Sequence, residues 1–321
     1  MKSRITNILN IEKPIIQGPM SWLTDAQLFV AAVSEAGGLG FLGPNGGSAL
    51  ITRSVTDTIE RFRQEIKKIK QLTDKPFGVP LVISRDMAYT EQLVEVIIEE
   101  GVTVVLANEY IKDKSLYQKL KSHQIKIIYR PLTSTIENAK EAESFGADIY
   151  VATGFDEGGT VPERVIGTFS IVPMIADAID IPVVAAGGIG DYRTVNAAFA
   201  LGAEGVFAGS LFIATTENPA AENVKQKIVD SNATDLLLFR TLPAYYRSLP
   251  GKLAEELVEM DRQGYSNSEL SQHMGGGANM KLGMLDGDTE NGFVSVGTGI
   301  STISEIKPVE NVIKDVMKAI Q

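Results

Sequence analysis

The stretch that decides the fold is Val184–Ser210, VAAGGIGDYRTVNAAFALGAEGVFAGS. Two short apolar runs each end in a glycine-containing turn, Gly187-Gly188 and Gly209-Ser210, and a segment of helical period lies between them. This is one strand–helix–strand unit. The same unit recurs upstream. Apolar runs rich in β-branched residues predict strands at Ile15–Gln17, Gly40–Leu42, Gly78–Ile83, Thr103–Ala107, Lys126–Arg130, Asp148–Ala152, Pro182–Ala186 and Gly205–Ala208. They are apolar on both faces, as buried parallel strands are.

The intervening helices carry boundary signals. Thr24 with Gln27, and Ser134 with Glu137, have capping-box spacing, and Asp191 is placed to cap the helix before AAFALG. Gly37, Gly101, Gly146 and Gly202 each fall between a helix and the next strand, the C′ position. Eight such units predict an α/β protein, a (β/α)8 TIM barrel, with a doubly wound sheet as the competing architecture. The eighth unit ends near Ala214. Helical patterns then dominate Asn218–Gln272, followed by the glycine-rich MGGGANMKLGMLDGDTENGFVSVGTGIS and a last helix at Val309–Ile320. The expected layout is a barrel from residues 1–217 and 276–321, with residues 218–275 as a helical excursion over its mouth. No flexible linker marks a freely moving second domain.

The chain has 321 residues, 44% of them hydrophobic and 22% charged, the balance of an ordinary globular core. Its net charge of −10 argues against nucleic acid as a partner. With no cysteine there is no disulfide framework, Cys-ligated metal or Cys nucleophile, and no metal site is expected. The charged opening MKSRITNILNIEKP lacks a signal-peptide core, and GVFAGSLFIA is too short to span a bilayer. The expectation is a cytoplasmic protein without a membrane partner.

In barrels a phosphate commonly sits at the loops after strands seven and eight. Gly187, Gly188, Gly209 and Ser210 occupy those loops. Either glycine turn alone reads as a tight strand-to-helix connection; the two together, in this order, read as a phosphate site in which backbone N–H groups approach the anion. Gly18-Pro19-Met20 ends strand one at the same mouth, a stiff backbone suited to a flat ligand or to a simple loop. No GxGxxG follows a strand, so a Rossmann nicotinamide site is not indicated.

Taken together, PIIQGPMSWLTDAQLFVAAVSEAGGLGFLG, KPFGVPLVI, GFDEGG and IPVVAAGGIGDYRTVNAAFALGAEGVFAGSLFIA resemble the nitronate monooxygenase (2-nitropropane dioxygenase) family, which includes the flavin-dependent enoyl-acyl-carrier-protein reductase II of bacteria. The resemblance extends into the tail, DGDTENGFVSVGTGIS. It implies an FMN-binding barrel. Gly18, Pro19 and Met20 would touch the isoalloxazine, and Gly187, Gly188, Gly209 and Ser210 would hold the phosphate. Gly159 would lie at the cofactor, and Gly297 and Thr298 would close over the ring. FMN is expected in place of FAD, because no further glycine-rich loop is available for an adenylate half.

Two positions depart from the family pattern. The family motif EAGGH appears here as DEGGT, with Thr160 where the histidine stands, and a short insertion follows. Pro80, in FGVPL, replaces an asparagine and removes that contact. The chain has two histidines. His123 falls before strand five, at the bottom of the barrel; His273, in SQHMGGG, could reach the mouth from the excursion, or could simply cap or pack. Thr160 and His273 are therefore the catalytic candidates. Asp156 and Glu157 read as ionised groups of a hydrated loop.

A threonine is a poor base, whereas a preformed nitronate needs no proton removed. The expected activity is thus FMN-dependent oxidation of alkyl nitronates with O2. The alternatives are an enoyl-thioester reductase using NAD(P)H as co-substrate and a flavin-binding protein without this chemistry. The partner is a small molecule, nitronate or enoyl thioester, and a homodimer is compatible with this reading. A dehydrogenase of the inosine monophosphate type shares the glycine layout but requires the cysteine this chain lacks.

Overall fold

The computed structural model describes residues 3–24, 29–46, 54–81, 87–108, 113–318 and 320. Strands β1 (Ile15–Gln17), β2 (Gly40–Phe41), β3 (Phe77–Leu81), β4 (Val104–Ala107), β5 (Lys126–Tyr129) and β6 (Ile149–Thr153) pair in parallel in chain order. The short β7 (Gly159–Val161) leaves this sheet. β8 (Val183–Ala186) follows beside β6, and β9 (Gly205–Ala208) pairs with both β8 and β1. Leu39, just before β2, closes the ring. Its N–H donates to the Ile15 carbonyl and its carbonyl accepts from Gln17, both at 2.9 Å. The eight parallel strands thus form a (β/α)8 barrel, and no reversal of strand order leaves the crevice of a doubly wound sheet.

The barrel interior alternates large and small residues. Phe41 and Phe207 fill it beside Gly78 and Gly18, while Ile5 and Leu9 of the first helix (Arg4–Leu9) join the same cluster. A Cβ added at Gly78 would stand 2.3 Å from the Phe41 ring. Gly78→Ala is therefore expected to lower stability by about 1–3 kcal/mol through overpacking. A lower urea midpoint at unchanged slope is the expected readout, and an unchanged midpoint would show that this face of β3 is not packed as described.

The boundary signals hold with one shift. Asp191 caps Tyr192–Ala200, its carboxylate accepting from the Arg193 and Thr194 amides. Gly37, Gly101, Gly146 and Gly202 all have positive φ, between 60° and 100°. Helix Ile136–Phe145 is capped by Thr135 with Asn138, one residue beyond the Ser134/Glu137 pair. Ser134 is diverted because its buried hydroxyl accepts from the Thr153 amide at 3.0 Å, which pins the end of β6. Gln27, the partner proposed for Thr24, lies outside the described residues, as do Val82 and Ile83 at the expected end of strand three.

Between β9 and the last helix, Val309–Met317, the chain makes its excursion. That helix packs beside Ala31–Glu35 and Tyr192–Ala200 and completes the outer ring. The helical reading of Asn218–Gln272 misses a hairpin, β10 (Leu237–Arg240) and β11 (Tyr245–Ser248). β11 adds antiparallel to β7, setting Tyr246 opposite Thr160 and Arg247 opposite Gly159. These strands form because β7 offers an edge from far away in sequence, which local periodicity cannot reveal. The glycine-rich MGGGANMKLGM holds a helix, Gly276–Met284. Its glycines admit close neighbours: a Cβ on Gly277 would meet Trp22 at 2.8 Å, and one on Gly283 would meet the Phe293 backbone at 2.2 Å. Among the described residues no helix is long and apolar enough to cross a membrane.

Candidate active site

A cavity of about 490 Å³ opens at the C-terminal ends of the barrel strands. Gly18, Pro19 and Met20 line it after β1, Arg130 after β5, Gly187 and Gly188 after β8, and Gly209 and Ser210 after β9. The DEGGT segment, which runs from the loop after β6 into β7, forms another wall, and the hairpin and tail contribute Tyr246 and Gly297.

Gly187 and Gly188 have φ of 95° and 73°, the left-handed region that glycine enters freely. A Cβ on Gly187 would press to 3.0 Å from both the Gly154 carbonyl and the Thr168 hydroxyl. The amides of Gly187, Gly188, Gly209 and Ser210 find no acceptor among the described residues. Four free donors on glycine-bared backbone match the chemistry of a phosphate. The Ser210 hydroxyl accepts the Gly297 N–H at 2.8 Å, so its own proton remains available to an anion.

The tail fits tightly into this rim. A Cβ on Gly297 would lie 2.6 Å from the Asp156 carbonyl, so only glycine fits there. Thr298, expected over the ring, is not on the cavity wall. Its N–H and hydroxyl both donate to the Asp156 carbonyl, at 3.0 and 3.2 Å, bracing the DEGGT loop.

The acidic pair is not a hydrated loop. Asp156 Oδ2 accepts from the Thr168 amide at 2.7 Å and its hydroxyl at 3.1 Å, fixing the start of helix Thr168–Ala176. The Glu157 side chain is 11% exposed and pairs through Oε2 with Nη2 of Arg130. Burial pushes its carboxyl up to about 7, against the opposing pull of Arg130 and Arg247. Glu157 Oε1 and Arg130 Nε are buried without a partner among the described residues. Arg247 explains the enclosure. It donates to the Phe155 carbonyl at 2.5 Å and to the Glu157 carbonyl, and lies 5.0 Å over the Phe155 ring. The hairpin therefore folds down on the loop and buries the Glu157 side chain.

Thr160 lines the cavity beside Gly159 on β7. Tyr246 opposite it shares a 2.5 Å hydrogen bond with Ser295, and burial holds its phenol protonated to about 12. His273 does not reach the site. On helix Asn267–Met274, Ser271 and Met274 face the cavity, whereas the imidazole is 43% exposed and stands 3.4 Å from Glu256. His123 is exposed at the end of helix Lys114–Ser122. Pro80 is buried within β3 opposite Leu106 and is not among the residues lining the cavity. The residues that sequence reading missed are Arg130, Glu157, Tyr246 and Arg247. Arg130 carried a signal, a cation directly after strand five and so at the mouth. The other three depend on the hairpin. Among the described residues no acidic or histidine cluster could hold a metal.

A barrel whose mouth combines amides at Gly187, Gly188, Gly209 and Ser210 that are unpartnered among the described residues with a buried ionisable pair has the layout of an enzyme active site. Comparison with known proteins supplies the family. The model for nitronate monooxygenase matches residues 2–319, and the chain belongs to that family. A probable nitronate monooxygenase of Staphylococcus saprophyticus is 34% identical over 306 residues, covering 81% of this chain and 82% of the relative. The structure of FabK from Thermotoga maritima superposes with a TM-score of 0.85 at 34% identity, over 99% of this chain and 96% of that one. Nitroalkane oxidase from Streptomyces ansochromogenes shares the fold, with a TM-score of 0.78 at 24% identity, over 98% and 97% of the two chains.

Proposed function

We propose that the cavity holds FMN and that the enzyme oxidises alkyl nitronates with O2. In this reading the amides of Gly187, Gly188 and Gly209, with Ser210, bind the phosphate. Gly18, Pro19 and Met20 support the ring, with Gly159 and Gly297 at its borders and Thr298 acting through Asp156. These residues would hold FMN, whose chemistry when bound is redox exchange between the substrate and O2. The protein's own residues bind and orient the nitronate and keep water from it.

The observation that carries this reading is that Thr160 and Arg130 both line the same cavity. Thr160 stands where the family has a base, and Arg130 is the one cationic side chain among the described residues lining the cavity. A planar nitronate is an anion that Arg130 can hold by charge-assisted hydrogen bonds, and it arrives already deprotonated. Arg130→Gln removes that charge. It is expected to raise KM for propionate 3-nitronate by about 10–100-fold, the value of one charge-assisted bond. An oxygen electrode reads the effect, and an unchanged KM would mean that the anion binds elsewhere.

A second reading, reduction of enoyl thioesters with NAD(P)H, is supported by the 34% identity to FabK, an enoyl-acyl-carrier-protein reductase II. It predicts oxidation of NADH or NADPH that depends on the thioester, with no oxygen consumed on adding a nitronate. Measuring both activities on one preparation separates the two.

A further inference from the structure

Arg130 and Glu157 face each other through a single hydrogen bond, each with a further polar atom left unpartnered among the described residues. Nη2 of Arg130 is bound to Oε2 of Glu157, while Nε of the first and Oε1 of the second are buried and unpartnered among the described residues. The guanidinium lies 5.4 Å from the centre of the Phe207 ring, which supports its face. Its Nε–Nη2 edge is the fork that binds a planar oxyanion bidentately. Glu157 occupies one tine of that fork. An incoming anion that takes both tines must displace the carboxylate from Nη2 and come to rest beside it. Two negative charges sharing one arginine beside a largely buried carboxyl favour protonating one of them.

We propose that Arg130 and Glu157 form a proton-coupled oxyanion site: the anionic substrate takes the place of Glu157 on the guanidinium, and one proton released by the solvent buffer settles on the displaced carboxyl. No electrons move in this step. The hydrogen bond from Nη2 passes from Oε2 to the ligand oxygen, and the protonated carboxyl gains an O–H that can itself donate to the anion. Glu157 is thus a positioning residue that selects for anions by taking up a charge-compensating proton. The proposal rests on the nitronate reading for the identity of the natural anion.

The surroundings leave Glu157 as the group that titrates. Arg247, from β11, holds the Glu157 backbone carbonyl, so the side chain alone has to swing. The Asp156 carboxylate is turned away to Thr168. Tyr246 is bound to Ser295 and keeps its proton. The Glu157 carboxyl, held up to about 7 by burial, lies within reach of the proton activity of a neutral solution.

Nitrate is a planar, unreactive oxyanion and serves as the probe. Calorimetric titration of the flavin-loaded enzyme with sodium nitrate, in two buffers of different ionisation enthalpy, counts the protons taken up. The expected result near pH 8 is about one proton per nitrate, with affinity falling about tenfold per pH unit above about 7. In Glu157→Gln the uptake disappears and nitrate affinity is flat from about pH 6 to about pH 9. Absence of nitrate binding, binding by the native enzyme without proton uptake, or uptake retained in Glu157→Gln would each overturn the proposal. The native measurement decides by itself if the variant does not fold. Proton uptake with no turnover of nitronate would keep the anion site and refute the substrate reading. Nitronate turnover with a pH-independent KM and no uptake would do the reverse.

Discussion

Gly188→Asp is expected to purify colourless, folded and inactive. Gly188 has φ of 73°, and a Cβ there would stand 3.3 Å from that of Asp156. Holding an L-residue in this region costs roughly 1–2 kcal/mol. The larger effect is electrostatic. A carboxylate about 4 Å from a phosphate opposes it by about 4 kcal/mol at the effective dielectric of a partly buried site. The backbone cost falls on folding stability, and the repulsion alone weakens FMN binding by about 10³-fold. Gly188→Ala keeps only the backbone cost, so it should lose about 1–2 kcal/mol of stability while its flavin affinity changes little. Flavin content per chain, read from absorbance with circular dichroism as the control for folding, checks both variants. Full occupancy of Gly188→Asp would place the phosphate elsewhere.

The second large effect is a gain. Thr160→His puts an imidazole at the cavity wall, on β7, where the strand is held by Tyr246 of β11. A positioned base contributes about 10²–10⁴-fold to removal of a proton from carbon. The variant should therefore turn over the neutral nitroalkane at least about 100-fold faster than the native enzyme, with little change on the nitronate. Thr160→Ala should lower nitronate turnover only modestly, since no proton is removed there. Oxygen uptake with the acid and its nitronate in parallel reads both. Rapid use of the neutral form by the native enzyme would mean that another base is present, with Glu157 the first residue to test.

What could be read from the chain and what could not divide along a physical line. The strands of the barrel are local: each is an apolar run long enough to show its own pattern, and the C′ glycines mark each return. That Gly187, Gly188, Gly209 and Ser210 share one cavity rim was legible because they follow directly from two of those strands. Glu157 was not. Its environment is made by Arg247, which comes from β11, 90 residues further along by the sequence separation of its bond to the loop. Sequence reading therefore assigned Glu157 to water, and burial inverted its chemistry. His273 failed for a different reason. Its helix was legible, but which face met the cavity depended on the packing of Ser271 and Met274. In Gly276–Met284, part of the stretch read only as glycine-rich, the glycines serve close packing inside a helix.

The most direct test of the whole account is anaerobic mixing of the purified, flavin-loaded protein with propionate 3-nitronate, with the visible absorbance of the flavin as the readout. The account predicts that the yellow colour is lost on mixing with the nitronate alone and returns when air is admitted. A flavin that stays yellow with the nitronate, yet bleaches with NADH or NADPH and recovers on adding an enoyl thioester, would contradict it.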